Sequence, residues 1–362
     1  MIQMNQPSLF LEEPQPPDGR LPQQVGEQSD IRYFAATPRS VLNGPKATGM
    51  GFWSINPYIG CAFGCAYCYA RYAHRYTSER LAHSAGAARQ DSLSASLPPW
   101  LAFERRILVK REAGTLVRNA LARPATLNAL RRERIVIGTA TDPYQPAERR
   151  FRVTRGILEV LAEQKGIAVT IITKSPLVTR DVDLLSRIND RSRLSVHVSL
   201  ITVDRDLARR LEPRAPTPEA RLRAIGRLRS HGIEVGVNIM PVLPGITDRP
   251  HMIDDVIRLV KRADASYVGA CALRLQSTAR ARYLPFIAAE FPELAARYRS
   301  SYANGFQVSQ RYRDGLRARF IAVCARHNVV YGSPKRTDEE AGYLESLAAR
   351  GDFSAQQLDL PF

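Results

Sequence analysis

Three of the chain's five cysteines, Cys61, Cys65 and Cys68, fall inside the stretch Asn56–Arg71, NPYIGCAFGCAYCYAR. Their C-x3-C-x2-C spacing limits the fold more than any other feature of the sequence. The segment must stand as a loop that presents three thiols, and the rest of the chain must hold that loop. In a cysteine-poor chain such crowding points to a metal centre rather than a disulfide framework. Structural zinc asks for four closed ligands, often as two C-x2-C pairs. Here no second pair exists, and His74 or Cys271 would have to complete the set. A redox C-x-x-C made of Cys65 and Cys68 leaves Cys61 without a task. An iron–sulfur cluster uses all three, since thiolates from short loops are its usual ligands. Three ligands on a four-iron cluster leave one iron open for chemistry.

Around the loop, short apolar runs alternate with helical patterns. Strands are predicted over Gly51–Tyr58, Ala102–Lys110, Glu133–Ala140, Ile167–Thr173, Leu194–Thr202, Ile233–Met240 and Ser266–Leu275. Helices are predicted over Tyr69–Arg80, Glu112–Leu121, Val153–Gln164, Asp181–Ile188, Pro218–Ser230 and Arg249–Ala263. Such alternation means βα units on a parallel sheet, closed as a full or partial barrel or left as a doubly wound open sheet. In either fold, functional residues gather where strands end. The cysteine loop, Thr141, Asp142, Lys174, Ser175, Ser199, Asn238 and Gln276 all fall at predicted strand ends. Residues 1–48, rich in Pro, Gln and Gly, read as a mostly disordered arm. Residues 49–300 read as the core domain, and 301–362 as a helical extension with a flexible tail.

The net charge is +17, from 52 basic and 35 acidic residues. That favours a polyanionic partner, with DNA or RNA the obvious candidate. Arginine carries most of this charge and is spread along the chain, so incidental charge is the competing reading. No apolar run is long enough to span a bilayer. The opening MIQMNQPSLFLEEPQPP lacks the basic start and apolar core of a secretory signal. The expected location is the cytoplasm.

The C-x3-C-x2-C loop, with Tyr67 just before the third cysteine, resembles the signature of radical S-adenosylmethionine (SAM) enzymes. The segments CAYCY, TDPYQPAE, ITKSP, SLIT and Glu212–Ile225 (EPRAPTPEARLRAI) resemble the spore photoproduct lyase-like, DNA repair photolyase-type branch. The resemblance covers roughly residues 48–300 and implies a partial (β/α)6-type TIM barrel with a helical C-terminal extension. It implies a [4Fe–4S] cluster on Cys61, Cys65 and Cys68, which reductively cleaves SAM to a 5′-deoxyadenosyl radical. It further implies an electron donor such as flavodoxin or ferredoxin. By the same resemblance Tyr67 lies beside the adenine of SAM. Thr141 and Asp142 lie near the methionine amino group, Lys174 near the carboxylate and Ser199 near the ribose. For each of these a bland alternative stands: a turn at Asp142-Pro143, a solvated lysine, a single polar residue on a buried strand.

The chain departs from the family in one place. Photoproduct lyase has a donor cysteine just ahead of the segment matching Thr141-Asp142, where this chain has Ile137–Ala140, IGTA. Cys271 is the candidate substitute hydrogen donor, with a small buried core thiol as its alternative; Cys324 reads as core. A radical enzyme acting on a small metabolite or peptide, or a non-catalytic Fe–S protein that binds DNA, remains as an alternative function. The chain ends in QLDLPF. Gln357, Leu358, Leu360 and Phe362 there resemble the peptide by which bacterial replication and repair proteins dock on the DNA sliding clamp. Gln6–Phe10, QPSLF, is a weaker copy. The competing reading is a tail folded back on its own core.

Overall fold

A computed structural model describes residues 23–48, 51–71 and 97–332. The chain divides into two units. The first comprises the residues up to Phe63 together with Ala70–Val196; the second comprises Gly64–Tyr69 and the chain from His197 onward.

In the first unit the strands are β1 (Gln24–Gln28), β2 (Ile31–Ala35), β3 (Leu42–Asn43), β4 (Trp53–Ile55), β5 (Tyr58–Ile59), β6 (Arg106–Val109), β7 (Arg134–Ile137), β8 (Ala168–Thr173) and most of β9 (Arg193–Ser199). A small sheet runs β1-β2-β6-β5. Its first two strands form a hairpin, although composition assigned them to a disordered arm. Ile31, Tyr33 and Phe34 are buried while Arg32 points outward, and Phe34 packs on Leu108 with Ala36 and Ile59 beside it. That apolar anchor outweighs the polar composition of the segment. The remainder of the arm, residues 1–22, lies outside the described residues.

The larger sheet places β7 between β4 and β8 in parallel register, with β3 antiparallel on β4. These short strands are almost wholly apolar and buried, as a parallel sheet covered on both faces requires. The connecting helices are α1 (Pro99–Arg105), α2 (Ala113–Leu121), α3 (Pro124–Arg132), α4 (Ala147–Phe151), α5 (Val153–Leu161) and α6 (Val182–Arg191). Two expectations need correction here. The predicted strand Ala102–Lys110 is helical through Arg105 and extended only from Arg106. Pro99 opens that helix, and Arg71 pairs with the buried Glu104 in its last turn at 2.6 Å. Pro124 opens α3 directly after α2. The predicted helix Tyr69–Arg80 shows only a 3-10 turn at Tyr69–Arg71 before it leaves the described residues.

In the second unit the end of β9 is followed by β10 (Glu234–Val242) and β11 (Tyr267–Ala272), which pair in parallel with Gly236 facing Tyr267 and Asn238 facing Gly269. The helices are α7 (Arg205–Leu211), α8 (Pro218–Arg229), α9 (Pro250–Arg262), α10 (Ser277–Glu290), α11 (Pro292–Ser301) and α12 (Gln310–Arg326). The last two, α11 and α12, dock onto strand-end loops through buried tyrosine hydroxyls. Tyr298 donates to the Pro244 carbonyl at 2.7 Å, Tyr302 to that of Leu273 at 3.0 Å, and Tyr312 to the Asp248 carboxylate at 2.8 Å. Burial keeps all three phenols protonated far beyond the ordinary range, so they remain donors. Tyr331 makes an isolated parallel bridge to Val268. No described helix is long and apolar enough to cross a membrane.

Tyr267 reaches across β10 to His197, with 2.5 Å between its hydroxyl and Nε2. Gly236 makes this path available, because a Cβ there would lie 2.3 Å from the Tyr267 ring. Gly236→Ala is expected to displace the ring and cost about 1–3 kcal/mol, read as a lower urea midpoint. An unchanged midpoint would show that the ring has another place to lie.

Candidate functional site

The cysteine loop has neither helix nor strand from Gly60 to Cys68. Its turns depend on Gly60 and Gly64, both in the left-handed region at φ 89° and 67°. A Cβ on Gly60 would also meet the Phe103 carbonyl at 2.7 Å. No disulfide joins any of the five cysteines; Cys65 is buried, and Cys61 and Cys68 are half-buried.

In the first unit, the segment TDPYQPAE after β7 grips the start of the loop. Gln145 accepts from Ala62 N at 2.9 Å and donates to the Gly60 carbonyl and to Thr141 Oγ1, each at 3.0 Å. Thr141 Oγ1 donates to the same Gly60 carbonyl at 2.5 Å. Cys61 N donates to the Phe103 carbonyl at 2.9 Å. Asn56 braces the segment from the other side, accepting from Ala140 N at 2.8 Å and donating to Thr139 at 3.0 Å. Asp142 joins the β7 loop to the end of β8. Its carboxylate accepts from Tyr144 N at 2.9 Å, Thr173 Oγ1 at 2.7 Å and Lys174 N at 2.7 Å. Burial raises its pKa even so, against the pull of these donors and of the Lys174 charge. Further on, Glu148 is fully buried, takes hydrogen bonds from Tyr58 and Thr154 N, and pairs with Arg180 at 2.9 Å.

In the second unit, Ala66 N donates to the Leu211 carbonyl at 2.9 Å. The Tyr67 hydroxyl donates to Glu212, and Glu212 is ion-paired with Arg221. Arg221 also donates to the Pro216 carbonyl at 2.9 Å and to that of Ser199 at 3.0 Å. All three side chains are buried. Burial and then the Glu212 charge hold the Tyr67 phenol protonated. Burial alone would lower the pKa of Arg221, but Glu212 more than offsets it. Ser199 is buried, and its hydroxyl has no partner among the described residues. Cys271 on β11 is reached by solvent yet hemmed in by protein, which pushes its thiol up despite nearby Arg274. Cys324 is buried in α12.

Of the residues chosen from sequence, Asp142 and Lys174 meet in the first unit through a hydrogen bond, while the adjacent Thr141 turns to Gly60 and Gln145. Tyr67 and Ser199 are linked in the second through Glu212 and Arg221. Sequence reasoning assigned no role to Gln145, Glu148, Glu212 or Arg221, although all four lie in segments that carried the resemblance. Gln357–Phe362, Gln6–Phe10 and His74 lie outside the described residues. A cleft of about 570 Å³ opens in the second unit, lined by Thr202, Asp204, Arg210, Arg249, His251 and Glu293 among others. It contains none of the residues chosen for the cofactor.

The donor set fits an iron–sulfur cluster. A cluster spreads its thiolates over separate irons instead of converging them on one. The loop supplies three sulfurs on a backbone whose turns are fixed from outside.

The Glu212–Arg221 pair has a measurable energetic role. Glu212→Gln or Arg221→Met strands a buried charge and is expected to cost about 3–5 kcal/mol, read as the denaturation midpoint of the apo-protein. Glu212→Leu with Arg221→Met should cost less than the two separately. Single changes no worse than the exposed Arg223→Met would remove the pair from this role.

The comparisons agree with this geometry. Residues 55–260 match the model of the Radical SAM superfamily. An uncharacterised protein of Mycobacterium tuberculosis (strain ATCC 25618 / H37Rv) is 32% identical over 324 residues, covering 86% of this chain and 88% of that one. An uncharacterised protein of Methanocaldococcus jannaschii is 27% identical over 227 residues, covering 63% and 74%. Among solved structures, spore photoproduct lyase complexed with dinucleoside spore photoproduct has a TM-score of 0.55 at 14% identity, covering 83% of this chain and 81% of that one. A double mutant of the same enzyme, with bound AdoMet and the dinucleoside, has a TM-score of 0.56 at 14% identity, covering 87% of each chain. The fold is therefore of the partial (β/α) barrel type that the sequence implied, and the chain belongs to the radical SAM superfamily of enzymes, which use S-adenosylmethionine and an iron–sulfur cluster.

Proposed function

We propose that the chain binds a [4Fe–4S] cluster through Cys61, Cys65 and Cys68, cleaves SAM reductively, and acts on nucleic acid in repair or modification. The observation that carries the reading is the loop itself, three thiols on a segment held almost wholly by outside hydrogen bonds. When bound, the reduced cluster supplies the electron that breaks a sulfonium C–S bond of SAM and yields a 5′-deoxyadenosyl radical. The chain's own residues bind and orient. Tyr67, fixed through its hydroxyl, offers its ring to the adenine. The Ser199 hydroxyl is available for the ribose. Lys174 is the cation for the methionine carboxylate. Asp142 already accepts three hydrogen bonds and keeps about one acceptor position for the amino group. Thr141 serves the site by holding Gly60. Cys271 is the candidate hydrogen donor, since solvent reaches it and the IGTA segment holds no thiol.

Two facts favour nucleic acid over a small metabolite: the net charge of +17, and the barrel likeness to an enzyme solved with a dinucleoside. The missing thiol in Ile137–Ala140 is the reason the proposal extends to modification as well as repair. The C-terminal Gln357, Leu358, Leu360 and Phe362 are proposed as a ligand of the bacterial sliding clamp, and flavodoxin or ferredoxin as the electron source.

Anaerobic reconstitution tests the chemistry. The wild type is expected to take up about four irons per chain and to form 5′-deoxyadenosine, faster when DNA is present. Cys61→Ala, Cys65→Ala and Cys68→Ala should each lose the brown chromophore. A chromophore that survives Cys61→Ala would defeat the cluster assignment, and a rate indifferent to DNA or RNA would defeat the substrate assignment. Cys271→Ser should keep 5′-deoxyadenosine formation but change the nucleic-acid product; an unchanged product removes Cys271 from the chemistry. Deleting Gln357–Phe362 should abolish pull-down of the clamp, and unaltered pull-down would remove the tail from that role.

A further inference from the structure

Two arginines of the first unit lie over one ring, and two more adjoin that ring in the chain. Arg149, Arg150 and Arg152 flank Phe151 at the end of α4, and Arg111 follows β6. All four are exposed. The Arg111 guanidinium lies 5.5 Å from the Phe151 ring centroid and that of Arg150 lies 5.3 Å from it. Two like charges are thus drawn onto one aromatic. Among the described residues none of the four makes an ion pair with an acid; the adjacent Glu148 is buried against Arg180, and Glu112 pairs with nothing.

The arrangement is built rather than splayed. Phe151 is held edge-on by Tyr33 of β2, with centroids 5.4 Å apart. Arg150 lies over Gly26 of β1, where a Cβ would come within 2.3 Å of its guanidinium. Arg152 is held in the left-handed region at φ 51°, a conformation that an arginine seldom adopts. Stacking on an aromatic fixes a guanidinium while leaving its N–H edges open to an acceptor. Two guanidinium groups held this way, with the exposed Arg149 and Arg152 beside them in the chain, suit an acceptor carrying repeated negative charge.

We infer that the Arg111–Arg149–Arg150–Arg152 cluster on Phe151 is a docking surface for the phosphodiester backbone of nucleic acid. The inference rests on the proposed nucleic-acid reading and gives it a location. The cluster begins four residues after Gln145, the residue that holds Ala62 of the cysteine loop, so the surface and the loop's anchor share one short segment of chain.

The test is fluorescence anisotropy of the full chain with a labelled duplex DNA oligonucleotide over a salt series. Each phosphate contact contributes roughly 0.9 to the slope of log affinity against log salt on duplex DNA. The triple variant Arg149→Gln, Arg150→Gln, Arg152→Gln is expected to lower that slope by about 2–3. The charge-matched control Arg131→Gln, Arg223→Gln, Arg227→Gln, changed at other exposed arginines, should lower it by less than one. Phe151→Leu keeps every charge but removes the ring; it should weaken binding about tenfold with the slope nearly kept. Equal losses in the two triple variants would show that only net charge matters and overturn the surface. A wild-type slope in the patch variant would overturn the surface while leaving the nucleic-acid reading intact. Failure of the wild type to bind the duplex would overturn both.

Discussion

A loop with no ladder of its own must have its backbone groups satisfied from elsewhere, or lose its shape. The segment from Gly60 to Cys68 meets that requirement with borrowed partners. In the first unit Gln145 and Thr141 occupy Ala62 N and the Gly60 carbonyl. In the second, Leu211 takes Ala66 N, and Glu212 fixes the Tyr67 hydroxyl. The motifs that surround the loop in sequence terms make sense in this light. They consist largely of residues that hold backbone, with few left to meet a cofactor directly.

Buried charge follows the same logic. Glu148, Glu212 and Arg221 are costly to bury alone, and each is accompanied. Glu148 takes hydrogen bonds from Tyr58 and Thr154 and pairs with Arg180; Glu212 has Tyr67 and Arg221. Such pairs add little net stability compared with well-packed apolar residues, but they admit few geometries. They are suited to setting where a ring or a loop lies. The tyrosines of α11 and α12 do a similar task with neutral hydroxyls, tying a helical extension to the ends of strands.

Much of the fold was legible because βα alternation is a strong periodic signal, and β7, β8 and β10 fall within a few residues of their predicted places. The β1–β2 hairpin was not, since five-residue strands among Pro, Gln and Gly look like an arm until Phe34 finds Leu108. Nor was the end of α1, whose AFER reads as extended together with the strand RILV that follows, although Arg71 pairs with Glu104 there. The cysteine loop was visible at once. Its holders were not, because Gln145 and Glu212 lie 83 and 145 residues from their partners and no local pattern links them. The segments containing them could be noticed as motifs, but what they hold is a tertiary fact.

Arg152 ends α4 and begins α5 while sitting at φ 51°. For an L-residue that posture costs roughly 1–2 kcal/mol, which glycine would avoid. Glycine would give a more relaxed joint between the two helices, but a joint without a guanidinium. Backbone comfort and surface charge therefore pull this position in opposite directions, and the chain keeps the cation. Stability and charge are not tuned independently in this corner of the first unit: a change that eases the hinge also erases part of its electric field.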